Sequence, residues 1–239
     1  MLSGCDPNMA QQVPAKTNGK PSPPKSKFEM QREEMVERQL RGPGRDIRNA
    51  RVLDAMRKVP RHEFVPATWH SEAYNDYPLP IGHGQTISQP YIVGLMSQLL
   101  DLKDSDTVLE IGSGSGYQAA VLAELVKHVY TIEIVQPLAK RAAATLERLG
   151  YKNVSVRAGD GYKGWPEKAP FDAVIVTCAP DHVPEPLTEQ LREGGRMVIP
   201  VGGMGVQELV LLEKKKGKMT RKTVTRVRFV PMTGEARKR

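Results

Sequence analysis

The sequence has little cysteine and no long apolar run. Only two of its 239 residues are cysteine. Cys5 lies in a polar segment and Cys178 in an apolar one, so a structural disulfide is not expected and a reducing compartment is indicated. No stretch approaches the roughly 20 consecutive apolar residues that a membrane-spanning helix needs. We therefore expect a cytoplasmic protein without a membrane partner.

The N-terminal segment leaves one alternative open. Residues 2–5 resemble the small-residue sequence that ends in the lipidated cysteine of bacterial lipoproteins, but the apolar stretch that such a signal requires is missing upstream. If translation starts further upstream, the protein would be a periplasmic lipoprotein anchored through Cys5. Residues 1–27 are rich in proline and polar side chains, and this composition predicts a disordered leader.

The formal charge of +8 raises the question of a nucleic-acid partner. Basic side chains outnumber acidic ones by 4 to 1 in residues 1–27 and by 11 to 2 in residues 213–239, but residues 28–212 carry 20 basic and 24 acidic side chains. A nucleic-acid enzyme is expected to carry its basic surface around the active-site cleft. We therefore expect no nucleic-acid partner. The length suits one main domain. Although the sequence has no signal for the oligomeric state, we expect a monomer.

Patterns typical of metal sites and of covalent catalysis are also missing. The five histidines do not have metal-ligand spacing, and no His–Asp or Cys–His pairing stands out. We expect no metal site. Only His83, between Gly82 and Gly84, is kept as a candidate substrate contact.

What the sequence does contain is an alternation of short strands and longer helices. Amphipathic helices are predicted over 28–40 and 47–59, and a buried helix over 93–100. The segment 28–92 is expected to form an N-terminal helical cap on a domain that spans 28–234, followed by a basic tail over 235–239.

The alternating pattern begins at residue 107. It predicts strands and helices over 107–111, 117–125, 128–134, 137–149, 154–158, 171–177 and 195–201. Such alternation is typical of an α/β fold with a doubly wound, mostly parallel sheet. The last part predicts an antiparallel hairpin at the sheet edge that turns at 216–218.

The strongest local signal is a glycine loop, VLEIGSGSGYQAA at 108–120. Gly112, Gly114 and Gly116 let the backbone turn from strand to helix and let a ligand approach closely. Nicotinamide, flavin and adenosylmethionine proteins all carry such loops. The dinucleotide fingerprint, however, needs a glycine at position 117, where this chain has tyrosine, and the lysine of a phosphate-binding P-loop is also missing.

Three carboxylates accompany this loop. Glu133 ends the second strand, where a carboxylate can accept both ribose hydroxyls of an adenosyl group. Asp160 follows the third strand and could lie by the adenine amine, whereas Glu110 could attract the amino group of a methionine tail. Three negative charges disfavour a pyrophosphate but suit S-adenosylmethionine, which carries a sulfonium and an ammonium. The alternative is that Glu133 and Asp160 are only cap or loop carboxylates.

Longer segments of the chain resemble the protein-L-isoaspartate O-methyltransferases, a family of class I S-adenosylmethionine-dependent methyltransferases. The segments are AYNDYPLPIGHGQTISQPYIV (73–93), VLEIGSGSGYQAA (108–120), GDG (159–161), FDAVIVTCAP (171–180), LREGGRMVIPVG (191–202) and RFVPMTG (228–234). The resemblance covers about residues 30–234, and Cys178 departs from the alanine usual in the family. It implies methylation of the free α-carboxylate of L-isoaspartyl residues in damaged proteins and peptides, which starts repair through a succinimide.

The resemblance also implies a set of site residues. Ser88 corresponds to the active-site serine of the family. The implied cofactor-binding positions are Gln85, Thr86, Ile87, Glu110, Gly112, Ser113, Gly114, Glu133, Gly159, Asp160 and Thr233. Because a peptide α-carboxylate has a pKa of about 3.5, it is ionised at neutral pH and needs no general base. Ser88 is then expected to position the carboxylate by a hydrogen bond rather than to act as a nucleophile.

Two other functions are also compatible with these sequence features. One is a methyltransferase on the same sheet that acts on a small carboxylic acid or on RNA. The other is an inactive adenosyl-binding module whose basic tail docks a partner.

Overall fold

The computed structural model describes residues 25–237. The leader predicted over 1–27 lies outside this range except for its last three residues, and Cys5, with its alternative of lipidation, lies outside it altogether. The first helix begins at Lys27 and is capped by Ser26, whose hydroxyl accepts a hydrogen bond from the backbone N–H of Glu29. No helix within 25–237 is long and apolar enough to cross a membrane.

The described residues form nine strands and six α-helices. In chain order the strands are β1 (Leu79–Gly82), β2 (Gln85–Ile87), β3 (Thr107–Ile111), β4 (His128–Glu133), β5 (Val154–Ala158), β6 (Phe171–Val176), β7 (Leu191–Val201), β8 (Gln207–Lys215) and β9 (Lys218–Val227). The helices are α1 (Lys27–Glu34), α2 (Ala50–Lys58), α3 (Pro90–Leu99), α4 (Tyr117–Ala123), α5 (Gln136–Arg148) and α6 (Glu185–Glu189).

Seven of the strands form one sheet in the order β5-β4-β3-β6-β7-β8-β9. The first five are parallel to their neighbours, and β8 and β9 are antiparallel. The chain builds outward from β3 to β5 and then returns to the other side of β3 with β6. Ligands of open α/β sheets bind at such a switch point, at the carboxyl ends of the strands. The predicted doubly wound, mostly parallel sheet with an edge hairpin is confirmed.

The two faces of the sheet bury different apolar clusters. Along β3, Val108 belongs to the cluster that includes the helices of the cap, whereas Leu109 and Ile111 belong to the cluster on the opposite face. Successive side chains of a strand point to opposite faces, which produces this division. Glu110 therefore lies on the same face as Val108, inside the fold.

A glycine sets the end of the first N-terminal helix, and an asparagine cap sets the start of the second. α1 continues into a π-helical turn, Met35–Leu40, and the helix stops at Gly42, where a Cβ atom would lie 2.2 Å from the carbonyl oxygen of Arg38. Helix α2 starts at Ala50 rather than at the predicted residue 47, because Asn49 caps it by accepting the N–H of Val52.

Two other predicted boundaries differ from the structure. Helix α3 starts at Pro90, ahead of the predicted residue 93, since proline suits the first helical turn and the apolar run marks only the buried part of the helix. Strand β7 begins at Leu191 instead of Gly195, and its pairing with β6 contains a bulge. The β8–β9 hairpin turns at Lys216 and Gly217, which both have positive φ angles.

A buried arginine joins the cap to the sheet domain. The guanidinium of Arg61 is fully buried; its Nε donates to the carbonyl oxygen of Ala73 at 2.7 Å and its Cζ lies 4.9 Å from the ring centroid of Tyr117. Burial lowers the pKa of Arg61 to about 10, although Tyr117 and Tyr74 oppose this effect. Tyr117 is the first residue of α4, so this contact links the cap to the end of the glycine loop.

Candidate active site

The glycine loop between β3 and α4 is shaped by close backbone approaches. Gly112 has a φ of 97°, and a Cβ atom there would lie 2.5 Å from Oγ1 of Thr177. Gly116 has a φ of 89°, and its Cβ would lie 3.3 Å from Ala142 and Leu146 of α5. Positive φ angles and these distances explain why glycine is required at both positions.

A cavity lies above this loop at the carboxyl ends of β3, β4 and β6. Nine of the twelve predicted site residues line it: Gln85, Thr86, Ile87, Ser88, Gly112, Ser113, Gly114, Glu133 and Thr233. The other three, Glu110, Gly159 and Asp160, are not among its lining residues. Segments predicted from separate motifs thus come together at one place.

Glu133 lies at the end of β4 with its carboxylate held in place by the backbone. Its Oε2 accepts the N–H of Gly114 at 2.8 Å, and its Oε1 accepts the N–H of Val135 at 2.9 Å. Each carboxylate oxygen keeps a further lone pair for a ligand. Glu133 therefore acts as a loop carboxylate, as the alternative interpretation expected, and also lines the cavity.

Glu110 lies below the loop instead of in the cavity. Its side chain is fully buried, and neither carboxyl oxygen has a hydrogen-bond partner among residues 25–237. Burial raises the pKa of Glu110 to about 8; the Thr131 hydroxyl partly opposes this effect and Glu133 adds to it. Thr131 itself is hydrogen-bonded to Ser113, with 2.6 Å between the two oxygens. Glu110 is thus a buried acid beneath a loop that lines the cavity.

Asp160 fastens the C-terminal segment beside the cavity. Its Oδ1 accepts the N–H of Tyr162 at 2.9 Å, and its Oδ2 accepts the N–H of Glu235 at 2.8 Å. Next to Glu235, a Cβ at Gly234 would lie 2.5 Å from the same carboxylate. Part of the tail predicted over 235–239 is consequently packed, and Ala236 is buried in a 3₁₀ turn.

Ser88 follows the β1–β2 hairpin and is half-buried. No hydrogen bond of its hydroxyl to another described residue is formed, so the group is available to a ligand. Ser88 also lines an open groove next to the cavity, and both spaces share Thr86, Ser88, Thr177, Val230 and Pro231. His83 lies at the turn of the hairpin with a φ of 54°, exposed and outside both sets of lining residues.

The structure adds lining residues that the sequence did not identify. Thr177 and Cys178 follow β6, and Val230, Pro231 and Met232 come back to them from the end of the chain. The return is fixed by hydrogen bonds between Ala179 and this segment: the N–H of Ala179 donates to the carbonyl of Val230, and that of Met232 to the carbonyl of Ala179, both at 2.8 Å. In the sequence, Thr177 and Cys178 directly follow the apolar run of β6. Because ligands of open α/β sheets bind at the carboxyl ends of strands, this position was the signal that could have identified them.

The lining residues suit a cationic adenosyl ligand. The cavity has a carboxylate, Glu133, and none of its lining residues is lysine or arginine. Gly161, which also lines the cavity, packs closely on Ile111, since a Cβ there would lie 2.3 Å from the Ile111 side chain. A pyrophosphate would need positive charge, whereas a sulfonium and an ammonium are stabilised by nearby carboxylates. Within the part of the chain that the structure describes, no three side chains of metal-ligating type lie together.

Comparisons with known proteins agree with this geometry. The sequence model of the family described as protein-L-isoaspartate(D-aspartate) O-methyltransferase matches residues 30–237. The protein-L-isoaspartate O-methyltransferase of Opitutus terrae is 60% identical over 206 residues, which are 86% of this chain and 88% of the relative. The protein-L-isoaspartate O-methyltransferase 1 of Nitrosospira multiformis is 56% identical over 211 residues, which are 87% of this chain and 89% of the relative.

Solved structures are similar as well. A protein-L-isoaspartate O-methyltransferase matches with a TM-score of 0.77 and 32% identity, over 86% of this chain and 67% of the other. A putative protein-L-isoaspartate O-methyltransferase from Plasmodium falciparum, in complex with S-adenosyl-L-homocysteine, matches with a TM-score of 0.74 and 26% identity, over 84% and 98%.

Proposed function

We propose how the site works from the premise that the chain belongs to the protein-L-isoaspartate(D-aspartate) O-methyltransferase family. The chain is an S-adenosylmethionine-dependent methyltransferase that acts on L-isoaspartyl residues of damaged proteins. The roles of the individual residues in cofactor and substrate binding are part of this proposal. The observation that carries the assignment is the junction of cavity and groove at Ser88.

The cavity is proposed to hold the cofactor, which supplies an electrophilic methyl group when bound. Glu133 accepts the ribose hydroxyls, and the backbone of Gly112, Ser113 and Gly114 lies against the ligand. Gln85, Thr86, Ile87 and Thr233 complete the wall. Glu110 does not touch the ligand, because its side chain is fully buried, and its pKa of about 8 leaves it protonated beneath the loop of the free protein. It attracts the bound cation by losing this proton when the cofactor binds. A cation above the loop favours the ionised form of this carboxyl.

The residues around Asp160 shape the adenine end of the cavity in this proposal. Asp160 holds the C-terminal segment, and its carboxylate has lone pairs left for the adenine amine beyond the two backbone N–H groups. Gly159 donates its N–H to the carbonyl of Glu133 at 2.9 Å and so ties the two acidic positions together.

Ser88 is proposed to bind the substrate carboxylate at the junction of groove and cavity. The carboxylate is already ionised at neutral pH, so the site needs no base. The task of Ser88 is to align a carboxylate oxygen with the methyl carbon, and an unengaged hydroxyl can donate the required hydrogen bond. The methyl ester is a better electrophile than the carboxylate because methoxide can leave from it. The next backbone nitrogen bonds to the ester carbonyl carbon, the C–OCH3 bond breaks, and the N–H proton leaves with methoxide as methanol, which gives the succinimide.

Further properties remain proposals. We propose a monomeric cytoplasmic enzyme that binds neither nucleic acid nor membranes, supported by the acidic excess in residues 28–212 and by the location of the basic excess on β9 and at the chain end. Size-exclusion chromatography with light scattering tests the monomer, and a mass of two chains would refute it.

The central experiment offers radiolabelled S-adenosylmethionine with two peptides that differ only in containing isoaspartate or aspartate. We expect label in the isoaspartyl peptide alone. Equal labelling, or labelling of neither, would exclude the isoaspartyl substrate, and labelling of a small carboxylic acid or RNA instead would support another methyltransferase activity.

The role of Ser88 is tested by Ser88→Ala. This change should lower turnover by about tenfold or more, because one hydrogen bond to a charged group is lost, and should leave cofactor affinity within about twofold. A large loss of cofactor binding with unchanged turnover would reassign Ser88 to the cofactor.

A further inference from the structure

Gln89, the residue after Ser88, is held in a defined orientation by a largely enclosed acid, Asp76. Its side-chain Nε2 donates to Oδ2 of Asp76 at 2.8 Å. Asp76 is also bound by Nη2 of Arg45 at 2.6 Å and by the backbone N–H of Tyr91 at 3.0 Å. The side chain of Asp76 is only 13% exposed, so these three donors surround it.

This arrangement determines which end of the Gln89 amide is left for a ligand. An aspartate carboxylate flanked by an arginine offers only acceptors, so the amide must turn its NH₂ group toward Asp76. Its carbonyl oxygen, Oε1, then has no hydrogen-bond partner among the described residues. Asp76 thus orients Gln89 as an acceptor.

Gln89 stands in the groove that adjoins the cavity. The groove is lined by Ser88, Gln89 and Ile92 from the start of α3, and by Val206, Arg228 and Phe229 from the residues just before β8 and just after β9. Gln89 is half-buried there and caps the start of α3 with its backbone. A polypeptide bound in this groove would contact the Gln89 side chain. It would do so next to Ser88, the residue that we propose to bind the substrate carboxylate.

We infer that Gln89 is a substrate-binding residue whose carbonyl oxygen accepts the backbone N–H of the isoaspartyl residue, and that Asp76 is the positioning residue that orients it. The inference rests on the proposed function. In an isoaspartyl residue the N–H and the free carboxylate are both attached to the same Cα atom. Adjacent residues of the enzyme, Ser88 and Gln89, therefore bind two groups that lie on one carbon of the substrate.

The first test is Gln89→Leu, which keeps the size of the side chain and removes its polar atoms. A single neutral hydrogen bond changes affinity by about threefold to tenfold, so KM for the isoaspartyl peptide should rise by that factor while cofactor affinity is unchanged. The matched control is Gln98→Leu on the same helix, outside the groove. Gln98 accepts the N–H groups of Arg48 and Asn49 at 2.7 and 2.9 Å, so its loss should lower the melting temperature and leave KM unchanged.

The second test identifies the donor on the substrate. An analogue in which an ester oxygen replaces the N–H of the isoaspartyl residue should lower kcat/KM of the wild-type enzyme about threefold to tenfold. With Gln89→Leu the same analogue should be no worse than the parent peptide, because the acceptor is already missing. An equal loss in both enzymes would overturn the contact, as would an unchanged KM in Gln89→Leu.

Asp76→Asn tests the positioning role. The asparagine can present a donor to Gln89, so the amide loses its fixed orientation and KM should rise without a change in cofactor affinity. In the double variant with Gln89→Leu this rise should vanish, whereas a purely structural role of Asp76 predicts that the two effects add. A wild-type enzyme that does not methylate the isoaspartyl peptide would refute the proposed function and this contact with it, whereas an active wild-type enzyme with an unchanged KM in Gln89→Leu would refute the contact alone.

Discussion

The titration of Glu110 gives a quantitative prediction for the stability of the fold. This carboxyl is fully buried below the glycine loop without a hydrogen-bond partner in the described chain. Burial is the main reason that its pKa rises from 4.5 to about 8, and Glu133 contributes in the same direction. Glu110→Gln replaces it by a neutral group of the same shape that does not titrate.

The sign follows from the proton balance. Between pH 4.5 and about 8 the folded protein keeps the Glu110 proton while the unfolded chain has lost it. The stability associated with this proton is complete below pH 4.5 and is lost as the pH rises toward about 8. At about 1.4 kcal/mol per pH unit the whole loss is at most ~5 kcal/mol.

The assay is urea unfolding of the wild-type protein and Glu110→Gln from pH 5 to pH 8.5 at constant ionic strength. The free energy of unfolding of the wild type, measured relative to that of the variant, should fall with pH by up to ~1.4 kcal/mol per unit and level off above about pH 8. Glu213→Gln is the control, because a hydrogen bond from Lys215 holds the pKa of Glu213 below its ordinary value and it does not titrate in this range. A difference between wild type and Glu110→Gln that stays constant within ~0.5 kcal/mol would refute the buried, protonated state of Glu110.

Three further predictions concern the cavity. Glu133→Ala should weaken S-adenosylmethionine binding about tenfold or more in calorimetry, since hydrogen bonds to a charged acceptor are lost, and unchanged affinity would count against the ribose assignment. Gly112→Ala places a Cβ 2.5 Å from Thr177 at a φ of 97°, so we expect a loss of ~2–4 kcal/mol in unfolding free energy, which an unchanged melting temperature would contradict. The thiol of Cys178 has its pKa raised to about 12, first by burial and then by Glu133 and Asp160; at pH 8 it should react with iodoacetamide ~1,000-fold more slowly than a free thiol, and peptide mapping that finds comparable rates would refute this.

Much of the fold was predictable because its signals are local. Strands β3 and β5 have the predicted bounds, since each is a short apolar or β-branched run between polar turns. The glycine loop was predictable for the same reason, and Gly112 and Gly116 have the positive φ angles that only glycine adopts readily. Helix starts were less predictable, because Asn49 and Pro90 decide them by capping and ring geometry rather than by hydrophobic pattern.

The burial of Glu110 could not be predicted from the residues next to it in the sequence. Its sequence context places it at the end of a strand beside the glycine loop, and this predicted a contact with the ligand. The alternation of side chains along β3 places Glu110 on the buried face that carries Val108, opposite the face of Leu109 and Ile111, and the contact with the ligand stays a prediction. The raised pKa of Glu110 is a consequence of the residues packed around it and has no signature in the sequence.

The sequence by itself determined the strand and helix pattern, the adenosyl-binding loop and the segment around Ser88, because each is encoded by neighbouring residues. The tertiary structure alone decided which of these side chains face one another. It brings Val230 to Ala179 across 50 intervening residues and sets Asp76 against Gln89, and it buries Glu110 while leaving Glu133 in the cavity. Such contacts depend on how the segments that follow the strands pack against one another, which residues close together in the chain do not specify.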